Sequence, residues 1–137
     1  RNMVLLIDTN IVLDVLAKRD GFYEDSSYIW KLCETGQVHG YVSALTFANL
    51  VYILRKSLTP ERIQEVYKLL SLIFDIADVT ASDVEHAAAS QWGDFEDALQ
   101  NAAAERLHAN YIVTRNVRDY QGSRITAFTP TELRARL

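Results

Sequence analysis

A continuous apolar run near the start of the chain, followed at once by polar residues, is the feature that most constrains the fold. The run is Met3–Ile7, and Asp8, Thr9 and Asn10 follow it directly. An uninterrupted run of this length is typical of a strand buried on both faces, because a half-exposed strand alternates apolar with polar residues. Such strands occur mainly in parallel sheets that helices cover, so the sequence predicts an α/β fold.

The rest of the chain alternates between helical and strand patterns, as this fold class requires. Helices are predicted over 11–17, 23–34, 43–56, 59–73, 80–89, 94–108 and 129–137, and further strands over 39–42, 74–79, 111–113 and 125–128. In the fourth helix, apolar spacing predicts a buried face, made of Ile63, Val66, Tyr67, Leu70 and Ile73. Strands separated by helices favour a three-layer sandwich with a central parallel sheet. At 137 residues, we expect one domain spanning 1–137.

Cysteine content and hydropathy limit the setting of the protein. Cys33 is the only cysteine, which excludes an internal disulfide and a cysteine-based zinc site made by this chain alone. No apolar run near the start is long enough to span a bilayer, so we expect no membrane association. These features fit a reducing, cytoplasmic setting.

The charge of the chain limits how it can meet nucleic acid. Fourteen basic and 18 acidic residues give a formal charge of −4. This balance argues against the broad electrostatic attraction that basic nucleic-acid-binding modules show. Chemistry on nucleic acid would therefore need a local source of positive charge, and a dication bound among carboxylates is one such source.

Four aspartates stand at positions that an α/β fold uses for function. Asp8 follows the first strand directly, and Asp119 comes a few residues after the strand near 111–114. Asp94 and Asp97 lie three residues apart at the start of a helix, on nearly the same face. Ligands of parallel sheets bind beyond the carboxyl ends of the strands, and Mg²⁺ or Mn²⁺ prefers oxygen ligands. The sequence therefore indicates a candidate metal site.

Each of these acids also has an ordinary structural explanation. Asp8, or the polar residues after it, can cap the following helix, and Asp94 with Asp97 resembles an acidic capping box. Asp119 can be a solvated loop residue. The three histidines have no helical pairing, which argues against a histidine metal site or a Ser-His-Asp arrangement. Trp30 and Trp92 are interpreted as packing residues rather than base-stacking ones.

Three motifs together carry a resemblance to a known family. They are Asp-Thr-Asn at 8–10, Asp-Phe-Glu-Asp-Ala-Leu at 94–99 and Thr-Arg-Asn-Val-Arg-Asp-Tyr at 114–120. In order, spacing and flanking residues, the chain resembles PIN-domain ribonucleases, especially bacterial toxins of the virulence-associated protein C type. The resemblance spans nearly the whole chain and implies a PIN-like sandwich.

The resemblance also implies an activity and a set of site residues. It implies an endoribonuclease dependent on Mg²⁺ or Mn²⁺, with the metal held by Asp8, Asp97 and Asp119 and with Asp94 as a further catalytic acid. The residues expected to support this site are Asn10, Asn49, Thr114 and Asn116. RNA phosphates are expected to meet Arg115, with Arg118 and Arg124 as further candidates. A toxin of this type implies an antitoxin partner and a homodimer.

One departure from the family pattern keeps alternatives open. The family usually has a glutamate on the third helix, where this chain has Asn49. A neutral amide lowers the charge of the site by one, and Asp94 is a candidate for compensation. A catalytically weak PIN-like module that acts through protein contacts therefore remains an alternative. A phosphatase or phosphoacceptor domain is a weaker one, because position 10 lacks a second aspartate.

Overall fold

The centre of the molecule is a sheet of five parallel strands. The structure is a computed structural model that describes residues 3–137; the first two residues of the predicted domain lie outside it. The strands are β1 (Met3–Ile7), β2 (Val38–Ser43), β3 (Asp75–Ala77), β4 (Tyr111–Val113) and β5 (Thr126–Phe128). They lie in the order β3-β2-β1-β4-β5, which confirms the predicted parallel α/β sheet.

Helices occupy most of the chain between the strands. They are α1 (Thr9–Leu16), α2 (Tyr23–Glu34), α3 (Ala44–Ile53), α4 (Pro60–Ile73), α5 (Ala81–Ala89), α6 (Phe95–Arg106) and α7 (Pro130–Arg136), with a short 3₁₀ helix at Val117–Tyr120. The predicted bounds of β1, α2 and β4 are those observed. The 3₁₀ helix was not predicted. Among residues 3–137, no helix is long and apolar enough to cross a membrane.

The two faces of the sheet bury separate cores. On one face, Leu5, Ile7 and Val113 join the apolar side chains of α1 to α4 and α7. On the other, Leu6 and Ile112 pack with residues of α6 and of the segment that follows β4. Successive residues of β1 thus enter different cores, which explains why the whole strand is apolar and confirms the three layers.

The approach of α2 to the sheet depends on a glycine in β2. A Cβ atom built on Gly40 would lie 2.5 Å from Sγ of Cys33 and 2.9 Å from the ring of Phe74. No side chain fits at these distances. Gly40 therefore allows α2 and the end of α4 to pack closely on the strand.

The predicted buried face of α4 is wrong in part. Leu70 is fully buried, but Tyr67 is 48% exposed, and Ile63, Val66 and Ile73 are only partly buried. The ring of Tyr67 meets that of Phe47 on α3 instead, with ring centres 5.8 Å apart. Helical spacing identified the apolar side of α4, but α2 and the sheet cover only part of it.

The order of the strands reverses beside β1. From β1 the chain goes to β2 on one side, and it later returns to β4 on the other. In open parallel sheets, the crevice beyond the carboxyl ends of strands at such a reversal is the usual place for a ligand. Here that crevice begins at Asp8 and Thr114.

Candidate active site

Asp8 is held in place at the reversal point by three neighbours. Its Oδ1 atom accepts hydrogen bonds from the backbone N–H of Thr9 at 2.8 Å and from Gln100 Nε2 at 3.3 Å. Its Oδ2 atom accepts from the Thr114 hydroxyl at 2.8 Å. Asp8 is also the N-cap of α1, so capping and a place in the crevice coexist in one residue. Burial raises the pKa of Asp8, although these hydrogen bonds oppose the rise.

Asp94 and Asp97 begin α6 beside the same crevice. Asp94 is the N-cap of α6, and its Oδ1 atom accepts from the backbone N–H of Asp97 at 3.0 Å. The predicted capping role of Asp94 is therefore correct. The carboxylate of Asp97 remains available, and its Oδ1 atom accepts a long hydrogen bond from the Tyr120 hydroxyl at 3.4 Å.

The segment after β4 brings the last acid to the site. The Thr114 hydroxyl, which donates to Asp8, accepts from the backbone N–H of Asn116 at 3.1 Å. The carbonyl of Asn116 accepts from the backbone N–H of Asp119 at 3.0 Å, which fixes the start of the 3₁₀ helix. One threonine thus links the acid after β1 to the segment that carries Asp119.

Two adjoining cavities meet at these acids. The first, here called the central cavity, has a volume of about 410 Å³ and is lined by Asp8, Thr9, Asn10, Asn49, Tyr52, Ile53, Asp94, Glu96, Asp97, Asn116 and Asp119. The second, here called the Trp92 cavity, has about 390 Å³ and is lined by Trp92, Gly93, Asp94, Asp97, Arg118, Asp119, Gln121 and Gly122. Asp94, Asp97 and Asp119 line both. The structure therefore brings all four predicted aspartates together, with Asn10, Asn49 and Asn116.

The electrostatics of the central cavity are dominated by uncompensated negative charge. Burial, followed by the charges of Asp94, Asp8 and Asp119, raises the pKa of Asp97 to about 6. Burial, followed by the charges of Asp8, Asp97 and Asp119, raises the pKa of Tyr120 as well. Among the described residues, none that lines the central cavity is basic. A cation bound in the cavity would relieve this repulsion.

The donor set fits a hard dication in its chemistry. Carboxylate oxygens from separate segments are what Mg²⁺ and Mn²⁺ prefer, and hydrogen bonds from Thr114, Gln100 and Tyr120 orient two of the carboxylates. Within the described part of the chain, however, no three carboxylate, imidazole or thiolate groups are arranged as a set of metal ligands. The acids share a cavity without forming a preassembled coordination sphere.

Asn49, the departure from the family pattern, has an acidic neighbour. Its Nδ2 atom donates to Oε1 of Glu96 at 2.8 Å, and both residues line the central cavity. The sequence predicts for Glu96 only a favourable interaction with the dipole of α6, and no role in the site. No sequence signal links the two residues, since the contact joins α3 to α6 across 47 positions.

Arg115 lies beside α1, outside the two cavities, and its contact with RNA stays a prediction. Its Nε atom is 3.7 Å from Oδ2 of the fully buried Asp14, and its guanidinium lies 4.2 Å from the ring centre of Phe22. It lines neither cavity of the candidate site. The geometry thus gives Arg115 a structural partner on α1 and no place beside the acids. Arg118 lines the Trp92 cavity, and Arg124 lines neither.

Two residues that hold the site in place were not identified from the sequence. Gln100 is buried and donates to both Asp8 and the Thr46 hydroxyl. Its position one helical turn after Asp97 was the available signal. Tyr120 is buried beside Asp119, and only its neighbour in the chain was singled out. The histidines line neither cavity, as expected.

Comparison with known proteins assigns the family. The sequence matches the PIN domain family over residues 4–118. The chain therefore belongs to the PIN domain family, which confirms the predicted resemblance. Comparison with curated protein sequences found no match.

Solved structures share the fold at low sequence identity. A chain of a toxin–antitoxin complex from Klebsiella pneumoniae is 22% identical, with a TM-score of 0.70 and coverage of 92% of this chain and 97% of the other. VapBC-1 from nontypeable Haemophilus influenzae is 19% identical, with a TM-score of 0.70 and coverage of 94% of this chain and 99% of the other. VapC20 from Mycobacterium tuberculosis is described as a sarcin-ricin loop cleaving toxin. It is 15% identical, with a TM-score of 0.62 and coverage of 79% of this chain and 86% of the other. The fold is thus similar to that of virulence-associated protein C type chains.

Proposed function

We propose that this protein is a divalent-metal-dependent endoribonuclease and the toxin of a toxin–antitoxin pair. One observation carries the proposal: four aspartates from three separate segments line one cavity at the reversal point of the sheet, and none of the residues among 3–137 that line it is basic. Like charges gathered in this way are unfavourable, and function is the usual reason that such an arrangement persists.

The proposed cofactor is Mg²⁺ or Mn²⁺, held by Asp8, Asp97 and Asp119 with Asp94 beside them. When bound, the ion supplies positive charge for the phosphate and lowers the pKa of a water molecule. The chain's own residues do the positioning. Thr114 and Gln100 keep the Asp8 carboxylate directed at the crevice, and the Tyr120 hydroxyl restrains Asp97.

The proposed partners follow from the structural likeness and from the surface. One similar structure is described as a toxin–antitoxin complex, and we propose a protein antitoxin and a homodimer for this chain as well. Large apolar side chains are exposed on α3 and α4, among them Tyr52 at 64% and Leu72 at 83%. Exposed apolar surface of this kind often marks a protein interface. RNA is the proposed substrate, and VapC20, which has a similar fold, is described as a sarcin-ricin loop cleaving toxin.

The test is cleavage of a labelled single-stranded RNA by the purified chain. The wild type should cut RNA with Mg²⁺ or Mn²⁺ and lose this activity with a chelator. Asp8→Asn should abolish cleavage, because it removes a charge at the point where the segments meet. Asp20→Asn, an exposed aspartate outside both cavities, is the matched control and should cleave normally.

Two further substrates test whether the activity is specific for RNA and whether it is that of a nuclease rather than a phosphatase. DNA of the same sequence should be cut much less than RNA, and p-nitrophenyl phosphate should not be hydrolysed. Cleavage of RNA that survives both Asp8→Asn and chelation would overturn the proposed function. Hydrolysis of the phosphate ester alone would point to a phosphatase instead.

A second candidate function is a catalytically weak PIN domain that works through protein contacts. Asn49 in place of an acid and the absence of a preassembled ligand set within residues 3–137 are the observations that favour it. Calorimetry separates the two. Binding of Mg²⁺ by the wild type and its loss in Asp8→Asn support the nuclease, and no binding by either chain supports the second candidate.

A further inference from the structure

We infer that the Trp92 cavity binds one unpaired nucleotide of the RNA, next to the phosphate that the central cavity would receive. The inference rests on the proposed function and deepens it, because it defines the substrate as a strand with at least one base free of pairing. In this arrangement the base lies against Trp92, and the guanidinium of Arg118 meets the sugar-phosphate backbone.

The first support is how Trp92 is held. Its ring meets that of the buried Tyr120 edge to face, with ring centres 5.9 Å apart. On another side it lies close to the backbone at Gly122, since a Cβ built there would be 3.5 Å from Nε1 of Trp92. The side chain is half-buried, and its remaining surface contributes to the cavity. A ring fixed in this way is a ready surface for a base, because little freedom is lost on stacking.

The second support is the charge and polarity of the cavity. Arg118 is the one basic residue among the described residues that line it. No side-chain hydrogen bond or ion pair of Arg118 is found within residues 3–137, so its guanidinium is available to a phosphate. Gln121 adds an exposed amide that can donate to and accept from the edge of a base. An aromatic ring, a guanidinium and an amide together form a set suited to a nucleotide.

The third support is continuity with the acids. Asp94, Asp97 and Asp119 line both cavities, so the two spaces adjoin along these residues. A strand with a phosphate in the central cavity therefore places a neighbouring nucleotide at Trp92. The volume of about 390 Å³ lies in the range of small-ligand pockets. A base in a duplex is stacked on both sides and cannot reach such a ring, so the cavity selects for unpaired RNA.

The two tryptophans of the chain make the test direct. Trp30 is buried in the core, where its ring meets that of Phe74, and Trp92 is in the cavity. A chain with Trp30→Phe reports on Trp92 alone, and a chain with Trp92→Phe reports on Trp30 alone. Both are prepared with Asp8→Asn, so that RNA can bind without being cut. The probes are an eight-nucleotide single-stranded RNA, the same strand with one abasic position, and its duplex.

We expect the single strand to quench the emission of Trp92 and to leave that of Trp30 unchanged. The duplex should quench the emission of Trp92 much less. The abasic strand should also quench it less when the missing base is the one that lies at the cavity, and a scan of abasic positions along the strand identifies that base. Trp92→Ala should weaken binding of the single strand about tenfold. Arg118→Ala should weaken binding and lower the salt dependence by about one phosphate contact, whereas the exposed control Arg62→Ala should do neither.

Failure of this inference is distinguishable from failure of the proposed function. If saturating RNA leaves Trp92 emission unchanged, or if single strand and duplex quench it equally, the cavity does not bind an unpaired base, whether or not the wild type cleaves. If Trp92 responds as expected and the wild type never cleaves, the binding site stands and the nuclease does not. The abasic scan alters only the RNA, so it decides the question even where Trp92→Ala does not fold.

Discussion

Two aspartates at equivalent positions of neighbouring helices have opposite electrostatic surroundings. Asp83 on α5 and Asp97 on α6 are each the third residue of a helix, and each backbone N–H donates to the side chain of the N-cap residue. The two helices pack against each other. The caps differ in one respect, since Asp83 also accepts from the backbone N–H of Thr80, whereas the N-cap of α6 is itself an acid, Asp94. The remaining differences between the two acids come from the rest of the fold.

The two aspartates differ in the groups that contact their carboxylates. Burial raises the pKa of Asp83, but Arg106 and the Thr80 backbone outweigh burial and hold the pKa below its usual range. Arg106 donates to both carboxylate oxygens, from Nε at 3.1 Å and from Nη2 at 3.0 Å. Asp97 receives only the long bond from Tyr120 and faces three other carboxylates. This fold can neutralise a buried acid, and at the crevice it does not, which supports a functional explanation there.

Removing Arg106, the partner of Asp83, should have the largest effect on stability. Arg106→Ala leaves Asp83 buried without its partner, and the loss of such a partner typically costs about 3 kcal/mol of unfolding free energy. Urea denaturation at pH 7 measures it. Arg62→Ala, which breaks an exposed ion pair with Glu65, is the control and should cost less than about 0.5 kcal/mol. Equal losses of unfolding free energy in the two variants would mean that the buried pair of Asp83 and Arg106 stabilises the fold no more than an exposed ion pair does.

Adding a cation to the unpaired acids should have the opposite effect. If Mg²⁺ binds at the crevice, a hundredfold excess over its dissociation constant raises the unfolding free energy by about 2.7 kcal/mol. Denaturation with and without Mg²⁺ measures the increase. Asp8→Asn should remove most of it, and Asp20→Asn should keep it. A magnesium effect of the same size in both variants would place the ion elsewhere on the protein.

Several parts of the fold and of the candidate site could be predicted from the sequence, because they depend on residues that are adjacent in the chain. The apolar run of β1 and the Thr59-Pro60 start of α4 predicted their elements correctly, since burial on both faces and helix capping depend on adjacent residues. Asp8 and Asp119 were found for a related reason, because parallel strands bring their carboxyl ends to one edge of the sheet. Asp94 and Asp97 were found as a pair at the start of a helix, and the family resemblance linked them to the same site.

The rest depended on contacts between distant parts of the chain. No pattern in the sequence indicates the contact of Arg115 with Asp14, because Asp14 lies about a hundred positions away on α1. The exposed Tyr67 was assigned to the core because helical spacing does not tell how far a packing partner extends. Residue type and spacing thus identified the acids, whereas their neutralising partners had to be seen in the fold.

The unpaired acid should also give the protein a distinctive dependence on pH. The pKa of Asp97 is about 6 in the folded chain and 3.8 for an ordinary aspartate, so the folded state takes up a proton first as the pH falls. Metal-free wild type should therefore gain stability between pH 7 and pH 5. Between pH 7 and pH 5 a pKa of about 6 corresponds to a gain of about 1.3 kcal/mol, and solvent screening of a partly exposed group reduces the expected gain to less than about 1 kcal/mol.

Asp97→Asn isolates this contribution. The variant should be about 1 kcal/mol more stable than the metal-free wild type at pH 7, and its stability should change less between pH 7 and pH 5. Asp83→Asn is the matched control, since it weakens a paired acid and should lower stability at pH 7. A less stable Asp97→Asn, with the wild-type pH profile retained, would show that the repulsion at the crevice is already relieved.

The smallest expected effect concerns the contact between the Asn49 amide and the Glu96 carboxylate in the central cavity. Asn49→Glu sets a carboxylate against Glu96 and should lower the unfolding free energy without metal by about 0.5 kcal/mol, because the pair is exposed. Combining it with Glu96→Gln exchanges the two roles and should restore stability. If the position of the acid matters for the ion, the single variant should bind Mg²⁺ more tightly than the wild type, as calorimetry can measure. An unchanged affinity in the single and double variants would show that the acid at 49 is dispensable and that Asp8, Asp97 and Asp119 determine binding.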